Sequence, residues 1–435
     1  MSHLTFCLIS GLFFTGSLLA QNTAEQIPIP KPVKDQIELE KLHHYLGEPY
    51  TFDSNGTVRV SAYAFSQSNC IPTEFSNAFI FPKFIDEQMK EAAYKRLKDN
   101  NSFGAELSFS AMASFSPDSI WKSQGLQFRI GIEQKTLVSA EFSKDLFHVL
   151  FGGNAAYAGM KAELGNSAFL STGYQSLKIG VLQRNKHSMM SVDLGLVHGI
   201  NLTQLNLNRA SLFTQENGLY LDLDWQGAFL QTGRISNQFK NTPSMGASID
   251  FEYRQQFGNR TVLHAKVNDL GFINWNSSTS EVKSDTAFRF TGLQFQDLLN
   301  LDKNATITVG DSLFDKIRGD EVKTSQLLSL PTLFKVGVSR LLNTHYTLDA
   351  SIQYRYIPGY QPLYTIEASR LFGYYRSVKL GLMYGGYGGF QTSLNVQVFN
   401  TLIHSLSIGT RMNEGFINTG SWSGAGIQFS YQHRL

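Results

Sequence analysis

The sequence predicts an all-β chain, folded as a transmembrane, antiparallel up-and-down β-barrel. Three observations carry this. Apolar and polar residues alternate with period two in runs of about ten residues or more, the length a tilted strand needs to cross a bilayer. Aromatic residues make up 13% of the 435 positions and charged residues only 17%, with 37 glycines and a net charge of +2. Mean hydropathy is −0.16, too polar for a helical membrane protein of this size. An aromatic, Gly-rich, charge-poor chain that is not hydrophobic overall fits strands with one apolar and one polar face. The same composition excludes a disordered chain and offers no basic field for nucleic acid.

Taken in order, residues 1–20 read as a secretory signal peptide. Leu4 to Ala20 is apolar, and polar Gln21 and Asn22 follow at once. Cleavage there leaves Cys70 as the one cysteine, which excludes an intramolecular disulfide and a thiolate metal cluster. No later apolar run is long enough for a transmembrane helix. An exported chain of this kind is periplasmic, extracellular or an outer-membrane barrel.

Residues 21–100 are expected to be an N-terminal segment, either a plug or a periplasmic lead-in. Ile27 to Pro32 alternates prolines in an extended stretch. Val58, Val60, Ala62 and Ala64 make a first strand candidate. Pro82 opens a helical pattern ending at Lys98, with Phe84, Ile85, Met89, Ala93 and Leu97 on one face. Asp86 and Glu87 in its first turn and Lys95 and Lys98 in its last suit the helix dipole.

The barrel is expected over residues 101–435. Alternation begins at Phe103 and returns at Leu219–Trp225, Ile249–Tyr253 and Leu263–Val267. It is clearest in Tyr346–Tyr356, Val378–Tyr384, Thr392–Val398 and Ala425–Tyr431. Turn signals such as Pro358-Gly359 and Gly385-Gly386 separate these runs. A soluble sandwich or propeller also alternates, but its strands are commonly shorter. Residues 296–330 break the pattern and read as a loop insertion with short helical pieces. Tyr360, Tyr364, Tyr374, Tyr375, Tyr384, Tyr387, Phe390 and Trp422 cluster near turns, as interfacial girdles do.

Chemistry is sparse. Gly420-Ser421-Trp422-Ser423-Gly424 has Trp where a nucleophile elbow needs Ser. Gly385-Gly386-Tyr387-Gly388-Gly389 joins two strands with no following helix, so it is a turn and no phosphate cradle. His43-His44 lacks partners at ligand spacing, and Asp222 with Asp224 reads better as lumen polarity than as a cation site. No catalytic residue, cofactor or metal site is assigned. The period places Glu106, Lys178, Asp193, Asp250, Glu252, Arg254, Lys266, Asp349, Arg355, Glu367 and Lys379 inward. Their mixed signs suit a lumen knit by ion pairs or a pore of low selectivity.

Asp269-Leu270-Gly271-Phe272-Ile273-Asn274-Trp275 and Phe151-Gly152-Gly153-Asn154 with Gly159 carry a resemblance. Over roughly residues 80–435 the chain resembles an uncharacterised outer-membrane barrel family of Bacteroidota, a domain-of-unknown-function group. That group is similar to the long-chain fatty-acid transporter barrels and the type IX secretion shuttle barrels. With the chain's length, the resemblance implies a barrel of about 14 strands and a place in the outer membrane among its lipids, not a reaction. Read by itself, Asp269–Trp275 is a structural corner in which Gly271 permits a bulge or positive φ. Passage of a small solute, a hydrophobic one included, is the first functional reading. The second is a scaffold or shuttle for secretion-machinery proteins, and the third an embedded lipid hydrolase.

Overall fold

The computed structural model describes residues 56–435 apart from 81–82, 117–124, 186, 233–243, 259, 291–321, 344, 373–375 and 402. The leader at 1–20, the proline stretch and His43-His44 lie outside the described residues. Seventeen strands make one sheet. They are β1 Gly56–Ser68, β2 Asn100–Phe115, β3 Leu126–Ser143, β4 Lys161–Glu163, β5 Ser167–Arg184 and β6 Ser188–Thr214. There follow β7 Leu221–Thr232, β8 Ser244–Phe257, β9 Thr261–Phe290, β10 Val322–Ser329, β11 Leu333–Leu341 and β12 Tyr346–Arg355. The last are β13 Gln361–Phe372, β14 Arg376–Gly386, β15 Phe390–Asn400, β16 His404–Arg411 and β17 Gly424–Arg434.

The sheet closes on itself. β1 pairs with β2 on one edge and with β17 on the other, antiparallel from Thr57↔Arg434 to Gln67↔Gly424. Three strands lie end to end with a neighbour instead of beside it. β4 and β5 share one edge of β6, β7 and β8 share the other, and β10 and β11 share one edge of β9. A circuit of the wall therefore crosses fourteen strands among the described residues. Because β1 is a wall strand with two partners, the wall includes Gly56–Ser68 and does not begin at residue 101. Its own alternation, Val58 to Ala64, is of the same kind as in the later strands.

Gly56 and Leu435 meet at one end, where the Leu435 amide donates to the Gly56 carbonyl at 2.8 Å. At this end β5–β6, β8–β9, β11–β12, β13–β14 and β15–β16 are separated by only three or four residues. The opposite end carries the helices α1 Thr73–Ile80, α2 Glu87–Tyr94, α3 Lys144–Gly152 and α4 Glu414–Ile417. α2 starts later than Pro82 because the Asp86 carboxylate caps the Met89 amide at 2.9 Å. It is no lumen plug. Ile85, Met89, Ala93 and Leu97 pack with Phe75, Phe147, Phe103 and Phe142. Phe103 lies on the same face of β2 as Leu107 and Phe109, which are exposed on the outside. The apolar stripe thus buries against other helices outside the wall, and Phe84 stays 87% exposed.

The expected insertion at 296–330 is also shorter. Val322–Ser329 is strand β10, paired with β9 from Val322↔Glu281 to Ser329↔Phe272. β6 and β9, at 27 and 30 residues, run well past the strands beside them. Their excess, with β4, β7 and β10, forms an extension at the helix end. There Asp222 pairs with Arg289 at 2.7 Å and Asp224 with Arg209 at 3.5 Å, so neither aspartate faces the barrel lumen proper.

The outer face is an apolar belt. Leu380 is 60% exposed, and its register partners Leu394 and Ala368 share its side. Ile366, Val336, Leu194 and Ile427 are also more than half exposed. Tyr364, Tyr384 and Phe390, aligned in register, bound the belt towards the helix end. Arg370 lies over the rings of Tyr346 and Phe372 at the other. Tyr360 and Tyr387 do not join the girdle: both turn inward and are buried. Tyr374 and Tyr375 lie outside the described residues.

Candidate functional site

The corner at Asp269–Trp275 builds the centre of the lumen. The strand register slips between Ile249 and Phe251 of β8, and opposite it Asp269 itself adopts positive φ, 56°. An aspartate tolerates this backbone better than most residues, and here its amide donates to the Asp250 carboxylate at 2.7 Å. Gly271 serves a different need from the one expected. A Cβ there would lie 2.0 Å from the Ala247 carbonyl oxygen, so glycine allows β8 and β9 to approach. The bulge turns Asp269 and Trp275 inward, each 2% exposed, and leaves Phe272 on the outer face.

Asp269 anchors a buried ion cluster. Its carboxylate accepts from Lys135 Nζ at 2.5 Å, Tyr174 Oη at 3.1 Å and Lys178 Nζ at 3.4 Å. Lys178 also pairs with Glu133 at 2.5 Å and with Asp250, and Lys135 pairs with Glu133 at 2.9 Å. Glu133, Asp250 and Asp269 bring carboxylate oxygens within 4.8 Å of one another, a spacing a metal ion could use. The two ammonium groups already lie among those oxygens and neutralise them. Buried charges need such pairing, because an unpaired one is strongly unfavourable.

The cluster continues as a partition across the barrel. Glu106 of β2 meets Arg355 of β12 at 2.9 Å. These strands are seven places apart in a ring of fourteen, so the pair spans a diameter. Two turns reach over from the same wall as Arg355. Tyr387 hydrogen-bonds the Ser139 hydroxyl at 2.9 Å and accepts from Ser102 at its carbonyl, also at 2.9 Å. Its ring lies where a Cβ on Gly104 would fall, 1.9 Å away. The Ser139 hydroxyl in turn donates to the Pro358 carbonyl at 2.5 Å. Acids, bases and aromatic rings together make a septum.

Cavities lie on both sides of it. Towards Gly56, spaces of about 370, 260 and 220 Å³ share Arg59, Glu367, Arg411 and Gln353 in their walls and form one polar chamber. On the helix side, a recess of about 340 Å³ is walled by Leu170, Leu202, Ile273, Trp275 and Leu330. The polar chamber collects the remaining predicted inward residues. Arg254 pairs with Glu252 at 2.7 Å, Lys379 with Glu367 at 3.6 Å, and His264 with Asp349 at 2.9 Å, while Lys266 faces the cavity. Asp193 is held by Arg129 at 3.3 Å. Glu133, Lys135, Tyr174 and His264 were not anticipated, although Glu133 and Lys135 are two residues apart and so share one strand face.

Residues 53–429 match the model of a family of unknown function, DUF5723. The chain belongs to this family. No curated protein matches the sequence. Among solved structures, the P. putida toluene transporter TodX is 9% identical, with 88% of this chain and 90% of that one covered at a TM-score of 0.44. The Ralstonia pickettii toluene transporter TbuX is 8% identical over 88% and 90% at 0.44. The translocator domain of autotransporter NalP from Neisseria meningitidis is 7% identical over 91% and 93% at 0.35. TM-scores this low carry no argument, and the DUF5723 chain is a barrel on the evidence of its own closed pairing.

Proposed function

We propose that this chain is an outer-membrane β-barrel that passes a small solute, with the septum holding its lumen shut in the form described. The apolar belt between aromatic rows supports the membrane setting. The five intervals of three or four residues at the Gly56 end, against the long connections β1–β2, β3–β5 and β16–β17 at the helix end, support an orientation with the helices outside the cell. No helix among the described residues is long and apolar enough to cross a membrane, so the crossing elements are the strands. The observation that carries the functional reading is the septum between two cavities. A barrel needed only as an anchor has no use for a chamber on either side of a thin, bonded partition. The recess at Trp275 offers apolar surface to a hydrophobic solute, and the chamber beyond it offers polar surface. The proposal gives the chain no catalytic role.

Tyr387→Ala tests it. The substitution removes the ring against Gly104 and the Ser139 contact without leaving a charge unpaired. In planar bilayers the wild type should conduct weakly, and the variant should conduct several-fold more while keeping heat-modifiable gel mobility. Equal conductance of two folded proteins contradicts the gate. A scaffold reading has one observation in its favour: an apolar cleft of about 270 Å³ outside the wall, lined by Phe75, Phe103, Phe142, Phe147 and Phe169. A scaffold barrel should stay silent in both forms.

A further inference from the structure

The last two strands set two histidines face to face. His404 of β16 and His433 of β17 are direct register partners near the Gly56 end. Alternation along β17 puts His433 on the outward side with Ile427, Phe429 and Tyr431. The register carries His404 to the same side with Leu406 and Ile408. Ile408, Ile427 and Phe429 are exposed there, and both histidines are half-buried. The pair therefore sits on the outside of the wall and not in the lumen.

His404 Nδ1 lies 3.3 Å from His433 Nδ1 and 2.8 Å from Tyr431 Oη. The two imidazole rings are 4.9 Å apart between centroids and tilted by 32°. Hydrogen bonding serves this meeting poorly. A neutral imidazole accepts at one nitrogen, through one lone pair. If His404 Nδ1 accepts, the Tyr431 hydroxyl and a His433 N–H compete for that lone pair. If it carries the proton instead, it can donate well to one of the two neighbours and not to both.

The spacing suits a metal ion better. Imidazole nitrogens bind Zn²⁺ at about 2.0–2.1 Å in a tetrahedral set, which places two such ligand atoms about 3.3–3.4 Å apart. The separation of the two Nδ1 atoms matches it. The neighbours select the class of ion. His433 faces apolar Val58 of β1 on its other side, and Tyr431 is the diagonal neighbour of His404. No carboxylate is among the described hydrogen-bond partners of either histidine. A hard cation such as Ca²⁺ or Mg²⁺ needs several oxygen ligands, whereas imidazole suits zinc, copper and nickel.

We propose that His404 and His433 hold a divalent transition-metal ion of the zinc class through their Nδ1 atoms, on the outer side of the barrel near its Gly56 end. Tyr431 Oη lies beside the ion, and water completes the set. The ion bridges β16 to β17, next to the seam where β17 meets β1. The site is independent of solute passage through the lumen.

The test is calorimetric titration of the untagged full chain with Zn²⁺ in neutral detergent. Wild type should bind one equivalent more than His404→Gln or His433→Gln, with all three keeping heat-modifiable gel mobility. His43→Gln/His44→Gln, which removes the other adjacent pair, should retain that equivalent. Val58→His sets a third imidazole across from His433 on the outward side, and should tighten binding by about tenfold. This gain keeps the test decisive if the two single variants do not fold. Equal stoichiometry in wild type and folded His433→Gln overturns the proposal. So does unchanged affinity in Val58→His.

Discussion

Asp269 holds three structural duties at one position. It bends β9, bonds Asp250 through its amide, and neutralises Lys135 and Lys178. Removing its carboxylate should leave two buried ammonium groups short of charge, a loss of about 3–5 kcal/mol for a broken buried pair. Asp269→Ala should therefore lower markedly the temperature at which the barrel loses its compact gel mobility. Lys161→Gln, which removes one member of an exposed ion pair, should not. The sequence places Asp269 at the start of the Asp269–Trp275 corner. It does not reveal the partners. Lys135 lies 134 residues away and Lys178 lies 91, and only ring closure with a settled register brings them together. The motif reads as a corner in sequence, but the positive φ falls on Asp269 and not on Gly271, and its charge partners leave no sign there.

Single strands were the most readable elements. Alternation in β14 and β15 assigns Leu380, Leu394 and Val396 to one face and Gln397 to the other, and the register agrees. The reason is physical: a period of two follows from the pleat alone and needs no knowledge of neighbours. An Arg on the lipid side near the midplane costs about 2–4 kcal/mol. Leu394→Arg should hence reduce folded yield in vesicles strongly, and Gln397→Arg much less, because Gln397 faces the polar side beside Ser377. Equal losses in the two variants would refute the face assignment. Helices and turns were less readable. The stripe of α2 predicts burial but not against what, and the burial surface turned out to be α1, α3 and the outside of β2 and β3. Tyr360 and Tyr387 look like girdle residues in sequence. Only the turns that carry them, folding inward to meet Ser139 and Gly104, show that they turn into the lumen.

At the scale of the whole molecule, chamber, septum and belt all depend on one fact, that β1 closes the ring against β17. Fourteen strands enclose more space than side chains fill by default, and the chain spends its longest-range ion pairs on obstructing that space. The fold class could be read from length and period, whereas the strand number rested on length and the family resemblance. The boundary at residue 100 could not, since a lone short strand ahead of a helical pattern looks like a lead-in until its second partner is known. Ring closure can be measured directly. Ser61 and Ser430 are register partners whose hydroxyls lie 3.3 Å apart, 369 residues apart in the chain. Cys70 should not compete, since it is fully buried and burial pushes its thiol up to about 11. Ser61→Cys/Ser430→Cys in folded protein should form a disulfide under mild oxidation, seen as a reducible shift on a denaturing gel. Efficient cross-linking is the result expected of a closed barrel. Free thiols at both positions after oxidation, in protein that keeps its compact gel mobility, would contradict the closure and everything built inside it.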